Sequence, residues 1–413
     1  MPQGIRVQSG RISFSFPGSM KVVVFAHTPP PHHGQSYMVE LMLRGLADQS
    51  HGIECFHVNA HLAKDSDDIG KFRFTKPFLI LRYCAQAIWY RFRHRAVTLY
   101  YIPAPPVKNP LIRDWVVLLI CKQFFHHIVL HWHATGLGEW IVNQPKWMQR
   151  LSRLALGHAD LSISLGRFNE KDAARFSPQR SVIVPNGIPD PCPNFPEVLA
   201  ARRTRLARRL TAWNATSASR IETAELVRVR VLYLGLCAEQ KGLLDAMRGV
   251  CQANALCRAN NLPFQFQLTI AGPFLDASHE GLYRKTLAEL ENPPTIEHVG
   301  FANPALKAKL MAETDIFCFP TWYYAENMPL VVAEAMAFGI PILATKWRSV
   351  PDLFPANYPG LVDIKSPDQI ASTLVLLAAR DDAEGFRQRF LENFTLDKFL
   401  RNLSAAFHEA NNP

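Results

Sequence analysis

Two carboxylates eight residues apart, Glu326 and Glu334, stand in the window Asp315–Thr345, DIFCFPTWYYAENMPLVVAEAMAFGIPILAT. The window reads strand, loop, helix, turn, strand. Asn327 suits an N-cap and Pro329 a first helical turn. Gly339 falls just past the helix end, with Pro341 beyond it. Glu326 then lies in the loop at the helix mouth and Glu334 about two turns inside. A helix N-terminus presents N–H groups without intrahelical partners and a partial positive charge, which together hold an anion. A carboxylate beside a phosphate is repulsive unless it faces hydroxyls instead. The chemistry this set supports is therefore capture of a phosphorylated sugar, with N–H groups on phosphate and carboxylates on hydroxyls. Two Glu alone read more simply as surface or ion-paired side chains; the residues around them change that reading.

Upstream, Tyr233–Leu244 (YLGLCAEQKGLL) puts Gly235 at a strand end and Lys241-Gly242 at the next helix start. A Lys there reaches a diphosphate held in a cleft. Thr269–Pro273 is a strand ending in a tight turn at Gly272, where a base or ribose can approach the backbone. Val299-Gly300-Phe301 repeats that arrangement one strand later.

The elements that must position these residues fall into two blocks. At 413 residues the chain exceeds the size at which single cores stop growing, and its 48% apolar and 19% charged composition is that of a globular protein. Alternating strand and helix signals start at Lys21–Ala26 and run through a Pro-rich turn at 28–35, a helix near 36–48, strands at 53–58, 98–102, 128–132, 161–164 and 182–184, and helices near 78–93, 111–124 and 146–157. That alternation predicts a parallel sheet covered by helices. Residues 185–196 carry five prolines, followed by an Arg-rich helical stretch. A second block begins at Val229–Leu234 and ends near Gly360–Val362, before an amphipathic segment, Asp397–Glu409. The expected organisation is an extension at 1–19, a first domain at 20–190, a linker and Arg-rich insertion at 191–226, a second domain at 227–390, and a terminal helix at 391–413.

The ordered set Val184-Pro-Asn-Gly-Ile188, Gly235 with Lys241-Gly242, Ala271-Gly272, Val299-Gly300, and Glu326-x7-Glu334 with Gly339-x-Pro341 resembles the retaining glycosyltransferases of GT-B fold, and within them the glycosyl transferases group 1 family. The likeness is dense over about 180–380 and thinner from 20 to 180. It implies an α/β fold of two Rossmann-like domains with parallel sheets facing a cleft, an acceptor-side domain at 20–190, a nucleotide-sugar-binding domain at 227–390, and a terminal helix at 391–413 that returns to the first domain. It implies a donor-binding set of Gly34, Gly235, Lys241, Gly272, Phe301, Glu326, Asn327, Met328, Pro329, Leu330 and Glu334, with His133, Lys241 and Glu326 catalytic. Lys241 would hold the diphosphate, Glu334 the ribose and Glu326 the sugar; His133 would lie near the transferred sugar. It implies a nucleotide-sugar donor, a glycan or lipid-linked acceptor, and no cofactor or metal. The chain departs from the family pattern at Leu236, where a second phosphate cation is usual, at Gly34-Gln35 in place of Gly-Gly, at Gly166 in place of a serine, and at Trp347-Arg348. Arg348 is expected to compensate in part for Leu236.

Charge and composition narrow the rest. The net charge of +10 is concentrated: residues 69–113 hold nine Lys or Arg and 198–221 hold six, neither with an acid. Phe78, Leu81, Ala85, Ile88, Trp89 and Phe92 fall on one helical face within the first stretch. That face either packs on the sheet with a solvated basic rim or meets an anionic membrane. The Arg202, Arg203, Arg205, Arg208 and Arg209 cluster either adds to the same surface or is solvated. No run approaches a membrane span and the N-terminus has no signal-peptide core, so the expected location is cytoplasmic, at most peripheral on the inner face of the plasma membrane. Eight scattered cysteines without a CxxC pair predict buried thiols rather than disulfides or zinc. His131 and His133 share a strand face without carboxylate or Cys partners, and no nucleic-acid motif is present. The rival functions are a sugar-nucleotide epimerase or phosphorylase on the same fold, or an inactive basic adaptor at a membrane.

Overall fold

The computed structural model describes residues 19–30, 33–47, 51–61, 75–216, 226–290 and 296–411. The N-terminal extension through residue 18, and the basic positions Lys71 and Arg73, lie outside the described residues. The first sheet contains β1 Met20–Ala26, β2 Ile53–Asn59, β3 Thr98–Tyr101, β4 His127–Trp132, β5 Leu161–Ser164 and β6 Arg180–Ile183, in the order β2-β1-β3-β4-β5-β6. The second contains β7 Val227–Leu234, β8 Phe264–Ala271, β9 Ile296–His298, β10 Ile316–Phe319, β11 Ile342–Thr345 and β12 Leu361–Val362, in the order β12-β11-β10-β7-β8-β9. The pairings are parallel throughout, as in β1 with β3 and β7 with β8.

Near-continuous apolar runs form these strands because both faces are covered. In the first sheet Val22, Val24 and Tyr100 enter one core while Val23, Phe25 and Tyr101 enter another. In the second, Leu232, Leu234, Phe317 and Phe319 face one side and Val229, Val231, Tyr233 and Cys318 the other. Strand order reverses between β1 and β3 and again between β7 and β10. Crevices outside the carboxyl ends of strands at such reversals are where open α/β sheets hold ligands.

Helices α1 Gly34–Leu46, α2 Thr75–His94, α3 Lys108–Cys121, α4 Leu137–Val142, α5 Lys146–Leu156 and α6 Arg167–Ala173 belong to the first half. Helix α2 overturns the expectation that its Phe78–Phe92 face packs on the sheet. The face that packs carries Cys84 and Ala87, with Ile80, Tyr83 and Tyr90 against the same core, whereas Phe78, Leu81, Trp89 and Phe92 are exposed. The helix is apolar on two opposite sides, and periodicity alone does not say which side is inside.

The Arg-rich stretch is also corrected. It is helix α7, Phe195–Thr216, clamped to the second half rather than solvated or facing a membrane. Buried Arg202 donates to the carbonyl of Thr314 at 2.6 Å. Arg205 and Arg209 pair with the carboxylate of Asp315 at 2.9 and 2.8 Å. Arg203 reaches Asp381 at 3.2 Å and Glu384 at 3.1 Å. Arg208 is exposed. Burial by itself would raise the Asp315 carboxyl; Arg209, the Arg230 N–H and Arg205 outweigh it and hold the pKa below its ordinary value. The last helix, α14 Leu396–Asn411, lies on the first sheet's side. Its Ser404 hydroxyl donates to His51 O at 3.1 Å, and Phe407 packs on Tyr100. Six of the eight cysteines are buried and all are free thiols.

Asp315→Ala removes the common partner of one buried guanidinium, Arg209, and one half-buried, Arg205. It is expected to lower unfolding free energy by about 3–5 kcal/mol, the cost of stranding buried charge. Arg208→Ala, on the exposed side of the same helix, should change stability by no more than about 0.5 kcal/mol. Guanidinium denaturation of both variants checks the pair.

Candidate active site

The helix of the Glu-x7-Glu window is α11, Leu330–Ala337. It ends as the sequence implies. Gly339, at φ +62, donates to Met336 O at 2.9 Å and Ile340 donates to Ala335 O at 3.0 Å, the paired bonds of a Schellman ending. Its start differs. Pro329, not Asn327, is the N-cap, and it supplies no side-chain hydrogen bond. The first N–H groups, those of Leu330 and Val331, therefore have no helix carbonyl in reach. Asn327 instead sends its amide Nδ2 to the carbonyl of Trp132, at the end of β4, at 3.0 Å. The Met328 sulfur accepts the N–H of Asn186 at 3.1 Å, so the Val184–Ile188 motif braces the same mouth. A Cβ on Gly34, the first residue of α1, would stand 3.9 Å from Leu330. Two helix N-termini, one from each half, thus point into one space.

Lys241 closes a short turn, Glu239–Lys241, ahead of α8, Leu243–Ala259. Gly242 adopts φ +80, and a Cβ there would meet Pro320 O at 2.1 Å. No other residue fits that junction of turn and strand. The Lys241 ammonium lies 2.7 Å from Glu326 Oε2 and 4.6 Å above the Tyr323 ring. The Thr321 hydroxyl donates to the same carboxylate oxygen at 2.9 Å. Glu326 is buried, and this cluster occupies the second sheet's strand reversal. Glu334 forms a separate pair, with Lys307 of α10, Pro304–Glu313, at 2.6 Å. Its other oxygen, Oε2, is buried with no hydrogen-bond partner, and so is Asn327 Oδ1.

The two strand-end glycines meet. Gly235 donates to Ala271 O at 3.0 Å, and a Cβ on Gly272 would lie 1.8 Å from Gly235 O. Phe301 stands apart with its ring 75% exposed. Leu236 is exposed where a cation was missed. Arg348 bonds Glu139 of α4 at 2.9 Å and lies between the rings of Phe168 and Trp347. It is a bridge between the halves, with its charge already matched, and this corrects the expectation that it substitutes for the missing cation.

His133 follows β4, one residue beyond the carbonyl that Asn327 holds. Its ring is 4.3 Å from that of His131, whose Nδ1 bonds the Tyr100 hydroxyl at 2.7 Å. Burial, then the charge of His33, lowers the His133 pKa to about 3. Burial, then His33, Arg113, His61 and His57, lowers His27 to about 4. Burial also lowers His57 and His131. His27 and His33 touch through their Nε2 atoms at 2.9 Å. At neutral pH His27, His57, His131 and His133 are uncharged, so these four offer hydrogen bonds rather than cations. Among the described residues no group of three or more His, Cys, Asp or Glu is placed to hold a metal ion.

The structure therefore brings together Lys241 and Glu326, Gly34 and Leu330, Gly235 and Gly272, and Asn327 with the strand bearing His133. Thr321, Tyr323, Asn186 and Lys307 were missed. The first two lie in the window already quoted, just past the strand, where a hydroxyl and a ring beside a Lys–Glu pair are expected company. Asn186 belongs to the Val184–Ile188 motif. Lys307 is 27 positions from its partner and carries no signal in sequence.

Two six-stranded parallel domains meeting at a helix mouth define the GT-B class of glycosyltransferase folds. Residues 230–393 match the model of the family described as Glycosyl transferases group 1. The amylovoran biosynthesis glycosyltransferase AmsK of Erwinia amylovora is 24% identical over 163 residues; the match covers 38% of this chain and 37% of that protein. A glycosyltransferase from Rickettsia africae superposes with a TM-score of 0.66 at 14% identity, over 95% of this chain and 100% of that one. Anabaena Alr3699/HepE, solved with UDP and glucose, gives 0.59 at 14% identity, over 94% and 100%.

The lowered histidine pKa values carry a sign. Each group binds a proton more readily in the unfolded chain, near pH 6.5, than in the fold. Stability is thus fully present above about pH 6.5 and is lost as pH falls towards 4, by at most ~1.4 kcal/mol per pH unit for each histidine. His27→Gln should flatten the acid limb of the thermal midpoint against pH by one such share, less a discount for its partial exposure. An unchanged limb would show that His27 is not among the groups responsible.

Proposed function

We propose that the protein is a retaining glycosyltransferase that moves a sugar from a nucleotide-diphosphate-sugar to a glycan or lipid-linked acceptor in surface polysaccharide synthesis, at the inner face of the plasma membrane. The observation that carries the reading is the Lys241–Glu326–Thr321 cluster at a strand reversal, facing the unpaired N–H groups of the α11 mouth. The donor diphosphate binds Lys241 and the Asn327–Leu330 backbone, displacing Glu326 onto hydroxyls of the sugar. Glu334 takes the ribose hydroxyls through the buried oxygen that has no partner in the protein. Bases approach the backbone at Gly235 and Gly272, with Phe301 free to cover them. Positive charge fixed by Lys241 and the helix mouth stabilises the departing diphosphate while the sugar becomes oxocarbenium-like. His133, neutral, presents a hydrogen bond near that sugar. No step calls for a metal or another cofactor. The matched family, the fold and the UDP-bound neighbour support a nucleotide-sugar donor.

A thermal-shift series with nucleoside diphosphates and their sugars tests the donor site. Wild type should be stabilised by at least one of them. Lys241→Met should abolish that shift and lower acceptor-dependent nucleotide release by roughly 100-fold or more. Glu334→Gln should weaken nucleotide binding about tenfold while sparing the fold. Nucleotide release that does not depend on an acceptor would favour the epimerase reading instead.

A further inference from the structure

We infer that the outer face of α2, α3 and α5 docks the protein on an anionic phospholipid leaflet, with Phe78, Trp89, Phe92 and Trp147 entering the headgroup boundary. The inference rests on the proposed lipid-linked acceptor only for its purpose; its physical basis is independent. On α2, Phe78, Leu81, Trp89 and Phe92 recur at helical spacing and point opposite the buried Cys84 and Ala87. Phe78 is 76% exposed and Phe92 64%. A single exposed apolar side chain needs no explanation, but a contiguous aromatic stripe does. The stripe extends sideways: Phe92 meets Phe124 at 6.2 Å, and on α5 Trp147, 61% exposed, meets Trp115 of α3 at 5.9 Å.

Charge selects the occupant. Residues 75–154 carry eleven Lys or Arg and two acids, Asp114 and Glu139. Both acids are committed, Asp114 to Arg113 at 2.8 Å and Glu139 to Arg348. Arg82 and Arg93 flank the α2 stripe, and Lys146, Arg150 and Arg153 accompany Trp147; all five are exposed. Aromatic and aliphatic groups ringed by basic side chains, on a helix too polar to span a bilayer, match an interfacial surface. Among the described residues no helix is long and apolar enough to cross one. Orientation follows from the parallel sheet. The first turns of α2 and α3 follow the carboxyl ends of β2 and β3, the end at which His133 and the α11 mouth lie. A leaflet on this face would bring the polar end of a lipid-linked acceptor to the cleft rim.

Flotation of the full chain with phosphatidylcholine vesicles, with and without phosphatidylglycerol, tests the surface. Wild type should float with the anionic vesicles and be released near 1 M salt, where the screening length is about 3 Å. Trp89→Ser/Phe92→Ser and, separately, Arg82→Glu/Arg93→Glu should each reduce binding by roughly tenfold or more. Both double variants should keep the wild-type melting temperature and nucleotide shift, which separates this result from failure of the donor site. Absence of wild-type binding, or equal binding to neutral vesicles, would overturn the inference. So would concentration-dependent self-association of wild type that the Trp89→Ser/Phe92→Ser variant loses, because the stripe would then be covered by a second copy.

Discussion

The amide of Asn327 donating to the carbonyl of Trp132 joins positions 195 residues apart, and the candidate site depends on it. The bond ties the mouth of α11 to the carboxyl end of β4. That sets the distance between the N–H groups that would hold phosphate and the strand end that presents His133. The contacts beside it act in the same sense. Asn186 fixes Met328 through its sulfur, and a Cβ on Gly34 would stand in van der Waals contact with Leu330, so the starts of α1 and α11 are neighbours. A helix mouth held from both halves is preorganised for an anion, and its dipole is directed before any ligand arrives.

The charge distribution follows a different logic from the one its total suggests. One basic cluster, on α7, is spent inside the molecule on Asp315, Asp381, Glu384 and backbone carbonyls. Buried guanidinium groups tolerate that setting because their planar forks reach several acceptors at once. The other cluster remains on the outside of α2, α3 and α5. The cleft itself is nearly neutral: Lys241 is matched by Glu326, Lys307 by Glu334, Arg348 by Glu139, and the buried histidines are uncharged at neutral pH.

Much of the fold was legible because parallel strands buried on both faces must be short apolar runs, and helices between them must show their own period. The Schellman ending was legible for the same reason: Gly339 is the residue that a left-handed position demands. What was not legible required knowledge of neighbours. Helices α4 and α6 are too short for periodicity to register. Asn327 has the composition of an N-cap, yet a carbonyl from the other half competes for its amide and wins. The apolar stripe of α2 satisfies the rule for a core-facing surface, while the true inner face is built from Cys84, Ala87 and the flanking Tyr83 and Tyr90, a weaker pattern in one dimension. Arg-rich α7 resembles a solvated insertion until its acidic partners, more than a hundred positions away, fold against it.

Leu236 stands exposed where the family pattern has a second phosphate cation. Arg348 does not replace it, because Glu139 neutralises that guanidinium and two rings enclose it. In the proposed reading a donor diphosphate would meet one ammonium, Lys241, and the backbone N–H groups at α11. A missing charge-assisted bond is worth about 1.5–3 kcal/mol. In that reading partial compensation would come from the cleft's own arrangement: displacement of Glu326 from Lys241 would remove a carboxylate from beside the phosphates and give it hydroxyls to accept from. Ground-state affinity would then be modest, since the Lys241–Glu326 ion pair must be broken on binding. The same exchange would place the full charge of Lys241 on the leaving group as it departs, where stabilisation accelerates a transfer rather than merely tightening the complex.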